Sequence, residues 1–202
     1  HRLMPQFEPN RIARHCEELT HPPARQSTVG VMGLGALGMA LMRQLTALRY
    51  QVIGYRRGSG EVDGLEVFHG EAQLEAFMRR SEILVALMPS TQETRGLINS
   101  KTLSWLPPGA YLINAGRGDL VNERDLVSTL DEGSLAGAAL DVFEIEPLPQ
   151  DSALWTHDKV YLTPHIASIT HPPTACRYIA DAISDFRQGK PWPNLVQPER
   201  GY

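Results

Sequence analysis

The sequence has little cysteine, no long apolar run and no excess of positive charge. Its two cysteines, Cys16 and Cys176, stand far apart in no metal-ligand or redox spacing, so no metal site is expected. Two isolated thiols fit a reducing compartment, and a cytoplasmic location is expected. No run approaches 18 apolar residues, which excludes a transmembrane helix, and no basic-then-apolar leader is present. The first residue is His1 rather than methionine, so we expect an incomplete or trimmed chain. A formal net charge of −4 gives no footing for nucleic acid or a membrane surface as partner. The remaining composition, 42% hydrophobic and 21% charged over 202 residues, suffices for one large domain or one domain plus an appendage.

The most informative stretch present is residues 29–38, an apolar run entering Gly33-Leu34-Gly35-Ala36-Leu37-Gly38. A strand, a tight glycine turn and a helix N-terminus in that order form a dinucleotide fingerprint. Gly33 allows the sharp turn, Gly35 lets a pyrophosphate approach the backbone, and Gly38 packs the helix against the strand. The unpaired amides of the first turn, at Ala36 and Leu37, then face the anion. The following helix is predicted over 36–48, with Leu37, Leu41, Leu45 and Leu48 facing a sheet.

A second, local absence narrows the ligand. An NAD-type site places Asp or Glu about 20 residues beyond the glycines, on the ribose hydroxyls. Here the second strand, predicted over 52–55, runs instead into Arg56-Arg57-Gly58, while Glu61 and Asp63 come too late. Forked guanidiniums suit a 2′-phosphate, so NADP(H) is the expected cofactor, with Arg56 ahead of Arg57 and NAD(H) still possible.

Further short strands are predicted over 67–68, 83–87, 110–114, 136–142 and 160–163, alternating with helices over 73–80, 99–106, from Asn122, and over 173–189. The first of these helices points Leu74 and Phe77 inward. The last carries Ala175, Tyr178, Ile179, Ala182, Ile183 and Phe186 along one face. This alternation gives an α/β class with a doubly wound parallel sheet, a Rossmann-type NAD(P)-binding domain. A linker helix is predicted over 10–19, with Ile12, Cys16 and Leu19 on one side, and the 190–202 tail is read as extended. Pro89 ends one strand; Thr91 and Thr94 either cap a following helix or offer hydroxyls to a cofactor.

Three chemically suggestive residues each follow a strand at the presumed ligand edge. Arg117 stands between Gly116 and Gly118, Glu146 precedes Pro147, and His165 follows Pro164. Carbonyl reduction beside a nicotinamide needs a cation for the developing oxyanion, an acid to protonate it, and a forked donor for a carboxylate. A carboxylate behind a histidine orients it and favours its protonated form.

At these residues the chain resembles the D-isomer-specific 2-hydroxyacid dehydrogenases, above all their NADPH-preferring glyoxylate/hydroxypyruvate reductase A branch. The motifs occur in the family's order: the glycine turn, Leu87-Met88-Pro89-Ser90-Thr91 with Thr94, and Asn114-Ala115-Gly116-Arg117-Gly118. They continue with Leu140-Asp141-Val142-Phe143, Glu146-Pro147-Leu148-Pro149, Leu154-Trp155, Thr163-Pro164-His165-Ile166 and the terminal Arg200-Gly201-Tyr202. Where many relatives follow the histidine motif with two glycines, this chain has Ala167-Ser168.

The resemblance implies catalytic roles for Arg117 on the substrate, His165 as proton donor and Glu146 as its partner. It places Asp141 near the nicotinamide, and Pro89, Thr94, Ala115 and Gly116 along the cofactor. It implies a homodimer and a small 2-keto acid substrate such as glyoxylate or hydroxypyruvate. It puts Trp155 at the active-site rim or a subunit contact, where core packing is the other reading. It also implies that most of an N-terminal substrate-domain segment is absent. That gives 1–27 as linker and remnant, 28–168 as the nucleotide domain, and 169–202 as a helix and tail returning to the substrate domain. Two other readings stay open: an NAD-linked dehydrogenase for a bulkier keto acid, and a non-catalytic nucleotide-sensing protein of the same fold.

Overall fold

Each short apolar run becomes a strand in the computed structural model, which describes residues 7, 10–18, 20, 22–60, 62, 64–193 and 195. The strands are β1 (Thr28–Met32), β2 (Gln51–Arg56), β3 (Glu66–His69), β4 (Ile83–Ala86), β5 (Ala110–Asn114), β6 (Leu135–Leu140) and β7 (Val160–Leu162). The helices are α1 (Ala36–Ala47), α2 (Gly70–Arg80), α3 (Ser100–Leu103), α4 (Glu123–Asp131) and α5 (Pro172–Arg187). All neighbouring strands are parallel, in the order β3-β2-β1-β4-β5-β6-β7. This is the expected doubly wound α/β sheet. The chain builds outward from β1 to β3, crosses back beside β1 with β4, and builds outward again. A crevice opens at the carboxyl ends of β1 and β4, where the winding direction reverses.

Alternation along β1 sorts the two faces. Val29 and Val31 pack with Met42 of α1 and Val85, while Met32 joins the larger cluster on the opposite face. Phe77 of α2, Leu103 of α3, and Leu126 and Leu130 of α4 fill that cluster. Such fully buried side chains are each worth about 1.5–3 kcal/mol of transfer free energy. Gly30 is required on this face, because a Cβ there would stand 2.0 Å from Ser81 Oγ.

Several boundaries and faces differ from expectation. The α1 leucine stripe faces the sheet only in its middle: Leu41 and Leu45 are partly buried against the smaller cluster, Leu37 and Leu48 are 56% and 64% exposed, and Gly38 and Met42 are the fully buried positions. The predicted 10–19 helix is helical in its described part only to Ile12, then turns at residues 13–14. Arg14 adopts φ 55°, and His15 N–H donates to the Asn10 carbonyl, closing the helix end. Ile12 and Cys16, the two described residues of its predicted apolar side, are exposed.

The 99–106 helix is reduced to α3. Asn99 and Thr102 form a capping box at its start, and Trp105 and Leu106 donate three residues back in a tighter turn before Pro107. No helix follows Thr91; residues 92–96 form turns. Leu19, Glu61, Asp63, the Arg200, Gly201 and Tyr202 motif and most of the 190–202 tail lie outside the described residues. Along α5, Ala182 is buried while Tyr178, Ile179, Ile183 and Phe186 are exposed. Among the described residues, no helix is long and apolar enough to cross a membrane.

Candidate active site

The glycine turn links β1 to α1 at the mouth of the crevice. Gly33 has φ 97°, and a Cβ there would stand 2.8 Å from the Leu87 and Met88 backbone. Gly38 comes closer still, since a Cβ on it would lie 1.9 Å from the Gly33 carbonyl oxygen. Gly35 differs: nothing lies within 4 Å of the position a Cβ would take. It is the N-cap of α1 and supplies no side-chain cap, so the first-turn amides at Ala36, Leu37 and Gly38 lack that partner. An open glycine beside uncapped amides fits a pyrophosphate.

Across the end of β1, the two arginines take different places. Arg56 is the last residue of β2, and its guanidinium lies over Gly60, 3.4 Å from where a Cβ would stand. Arg57 reaches the loop after β4, where its Nη1 meets Glu93 Oε2 at 2.9 Å. Within that loop, Thr94 Oγ1 donates to the Pro89 carbonyl and accepts the Thr91 amide, so its hydroxyl braces the turn. Ala115 N–H donates to the Ala86 carbonyl, and a Cβ on Gly116 would stand 3.0 Å from the Met88 carbonyl oxygen. Both therefore lie against the end of β4, beside Pro89.

Beyond β5, Asn114 is buried and shapes the next turn. Its Nδ2 donates to the Arg117 carbonyl, and its Oδ1 accepts the Gly116 amide. Arg117 is exposed, with its guanidinium folded back to donate to the Gly116 carbonyl at 2.7 Å. Gly118 lies so close to Phe143 that a Cβ would meet its carbonyl oxygen at 1.8 Å. Phe143 N–H in turn donates to Glu146 Oε1, which presses the Arg117 turn against the Glu146 loop.

Glu146 and His165 meet directly, with Oε2 and Nδ1 2.7 Å apart. That hydrogen bond is the main reason the Glu146 carboxyl is held below the ordinary glutamate range, and the Phe143 amide adds to it. His165 sits at φ 54°, a left-handed conformation uncommon outside glycine and sustained here by surrounding bonds. Asp141 supplies them: its carbonyl accepts the His165 amide, and its carboxylate accepts the Ile166 and Ala167 amides. Thr163 Oγ1 donates to the same carboxylate at 2.5 Å. Burial alone raises the Asp141 pKa, but these donors, with His165's charge, hold it below the usual value.

The motifs also belong to a known family. Residues 6–167 match the model described as D-isomer specific 2-hydroxyacid dehydrogenase, NAD binding domain. The chain belongs to this family. Among curated 2-hydroxyacid dehydrogenase relatives, glyoxylate/hydroxypyruvate reductase A of Salmonella newport is 43% identical over 175 residues. That match covers 87% of this chain and 56% of the relative, so the chain spans about half the length of the curated relatives it matches. A D-isomer specific 2-hydroxyacid dehydrogenase from Xanthobacter autotrophicus, solved with NADPH and MES, superposes with a TM-score of 0.95 at 42% identity, over 100% of this chain and 83% of that one. An NADPH-dependent glyoxylate/hydroxypyruvate reductase from Sinorhizobium meliloti, solved with NADP and sulfate, gives 0.94 at 36%, over 100% of this chain and 65% of that one.

Sequence reasoning missed several supports of the site. Glu123 N–H donates to Glu144 Oε1 and Glu144 N–H to Glu123 Oε1, stapling the Glu146 loop to the start of α4. Asp119 accepts from Ser90 Oγ and pairs with Arg95 at 3.1 Å, joining the loops after β4 and β5. Trp155 is 55% exposed rather than in the core, and its Nε1 donates to the Pro149 carbonyl. Pairs such as Ser90 with Asp119 lie 29 residues apart with no local periodicity to announce them.

Proposed function

We infer that the chain is the nucleotide-binding part, residues 28–168, of an NADPH-dependent reductase of small 2-keto acids such as glyoxylate and hydroxypyruvate. On this reading 1–27 is linker, and 169–202 returns to a substrate domain whose remainder would complete the cleft and exclude water. The observation that carries it is the 2.7 Å His165–Glu146 hydrogen bond at the ligand edge of a sheet with an uncapped glycine turn. The NADPH and NADP of the Xanthobacter and Sinorhizobium structures support the choice of cofactor.

Bound NADPH supplies the hydride. His165, held through Nδ1, presents Nε2 to the carbonyl oxygen and gives it a proton as charge develops there. Glu146 fixes the imidazole and balances its positive form. Arg117 swings from the Gly116 carbonyl to fork onto the substrate carboxylate and steady the carbonyl. The amides at Gly35, Ala36, Leu37 and Gly38 hold the pyrophosphate, reached over Gly33. Arg56 and Arg57 hold the 2′-phosphate. Pro89, Thr94, Ala115 and Gly116 line the dinucleotide, and Asp141 with His165 borders the nicotinamide. A homodimer completes the reading.

Titrating the chain with NADPH and NADH tests the cofactor assignment. NADPH binds more tightly, and Arg56→Ala removes most of the difference. Equal dissociation constants for the two would contradict the assignment.

A further inference from the structure

Strand order gives the Arg57–Glu93 ion pair a meaning that neither residue has alone. Arg57 follows β2 and Glu93 lies in the loop after β4, while β1 runs between those two strands. The 2.9 Å pair therefore spans the carboxyl end of β1, across the side of the crevice into which β2 ends. Any 2′-phosphate taken up by the arginines at the end of β2 meets, in Arg57, a guanidinium already held by a carboxylate.

Glu93 is itself anchored. Thr91 Oγ1 donates to the same Oε2 at 2.8 Å, and the Thr91 and Thr94 hydroxyls lie 3.2 Å apart. The Thr91 hydroxyl, with the pair to Arg57 adding to it, holds the Glu93 carboxyl below the ordinary range, so it is charged at neutral pH. Arg57 has the longer, freer stem, and both side chains are at least half exposed. Releasing the guanidinium is thus cheap but not free, since exposed pairs of this kind are worth little. A phosphate dianion drawn to Arg57 also approaches the fixed negative charge of Glu93.

We propose that Glu93 is a specificity-setting counter-ion, which competes with the 2′-phosphate of NADPH for Arg57 and so moderates the preference over NADH. The proposal rests on the reading of Arg57 as a 2′-phosphate ligand. It makes Glu93, on the far side of the crevice, the residue that limits how tightly the phosphorylated cofactor is held. A ligand lacking the phosphate does not compete for the guanidinium and is indifferent to Glu93.

The test measures dissociation constants of NADPH, NADH and 2′,5′-ADP for the wild-type chain, Glu93→Gln, Arg57→Ala and the double variant. Glutamine keeps an acceptor for Thr91 while removing the charge. Glu93→Gln tightens NADPH and 2′,5′-ADP by about threefold or more and leaves NADH within about twofold. In the Arg57→Ala background the gain disappears. Unchanged or weakened NADPH binding in Glu93→Gln, with the wild-type preference intact, overturns the counter-ion role alone. A gain that persists without Arg57 also overturns it. Equal wild-type affinities for NADPH and NADH overturn the cofactor reading, and the proposal with it.

Discussion

His165 is held from two directions, by Glu146 at Nδ1 and by Asp141 through the backbone on either side of its ring. This division lets one carboxylate orient the ring while the other fixes a left-handed backbone turn. The Glu146 carboxyl has a folded pKa below its ordinary value of 4.5, chiefly because of His165. A depressed carboxyl contributes stability in full above its unfolded pKa and loses it as pH falls through the folded one. Denaturant midpoints of wild type and Glu146→Gln, measured against pH, therefore differ near neutrality and converge as pH drops below about 4.5. A gap that widens on acidification would contradict the pairing. Arg117, Glu146 and His165 were legible in the sequence because each follows a strand at one edge of a parallel sheet. Asn114 and Thr163 were visible only as members of motifs, and Glu93 and Asp119 were not singled out, since the work of all four is to brace loops that only the fold brings together. The ion pair of Arg57 with Glu93 was likewise beyond the sequence, because the two lie 36 positions apart in the chain.

At the scale of elements, the turn between β1 and α1 separates two uses of glycine. Gly38 serves packing, with a Cβ destined to strike the Gly33 carbonyl oxygen, whereas Gly35 faces open space. Gly38→Ala accordingly costs about 1–3 kcal/mol of stability by overpacking, read as a lowered thermal midpoint. Gly35→Ala sits at φ −78°, which alanine tolerates, so the midpoint holds while NADPH binding weakens by at least about tenfold. Equal behaviour of the two variants would contradict the division. Parallel strands were readable as short apolar runs, and most strand ends moved by only one or two residues. The face of α1 was only half readable from its leucines, of which Leu41 and Leu45 meet the sheet and Leu37 and Leu48 do not. Helical spacing marks an apolar stripe but not which edge of it meets the sheet, and the small Gly38 beside Met42 brings that line of the helix closest. The 10–19 helix failed for a different reason: Arg14 takes a left-handed backbone that no composition signal marks.

For the molecule as a whole, one sheet carries the turn, the arginine pair and the His165–Glu146 couple along a single edge, while α5 leaves that body with most of its apolar face uncovered. Such a face calls for a covering surface, and a chain spanning 56% of the reductase A relative fits the proposed division of labour between two domains. Alternation of strands and helices made the doubly wound class legible but not the spatial order of its strands, which the structure supplies; the uncovered helix was legible only as an apolar period without a partner. The measurement that bears most directly on the account is steady-state NADPH oxidation by the complete protein with glyoxylate, hydroxypyruvate, pyruvate and a branched keto acid. The account predicts turnover with glyoxylate or hydroxypyruvate that falls about 10²–10⁴-fold in His165→Ala while NADPH affinity stays nearly unchanged. Absence of oxidation with every keto acid, or undiminished turnover in His165→Ala, would contradict it.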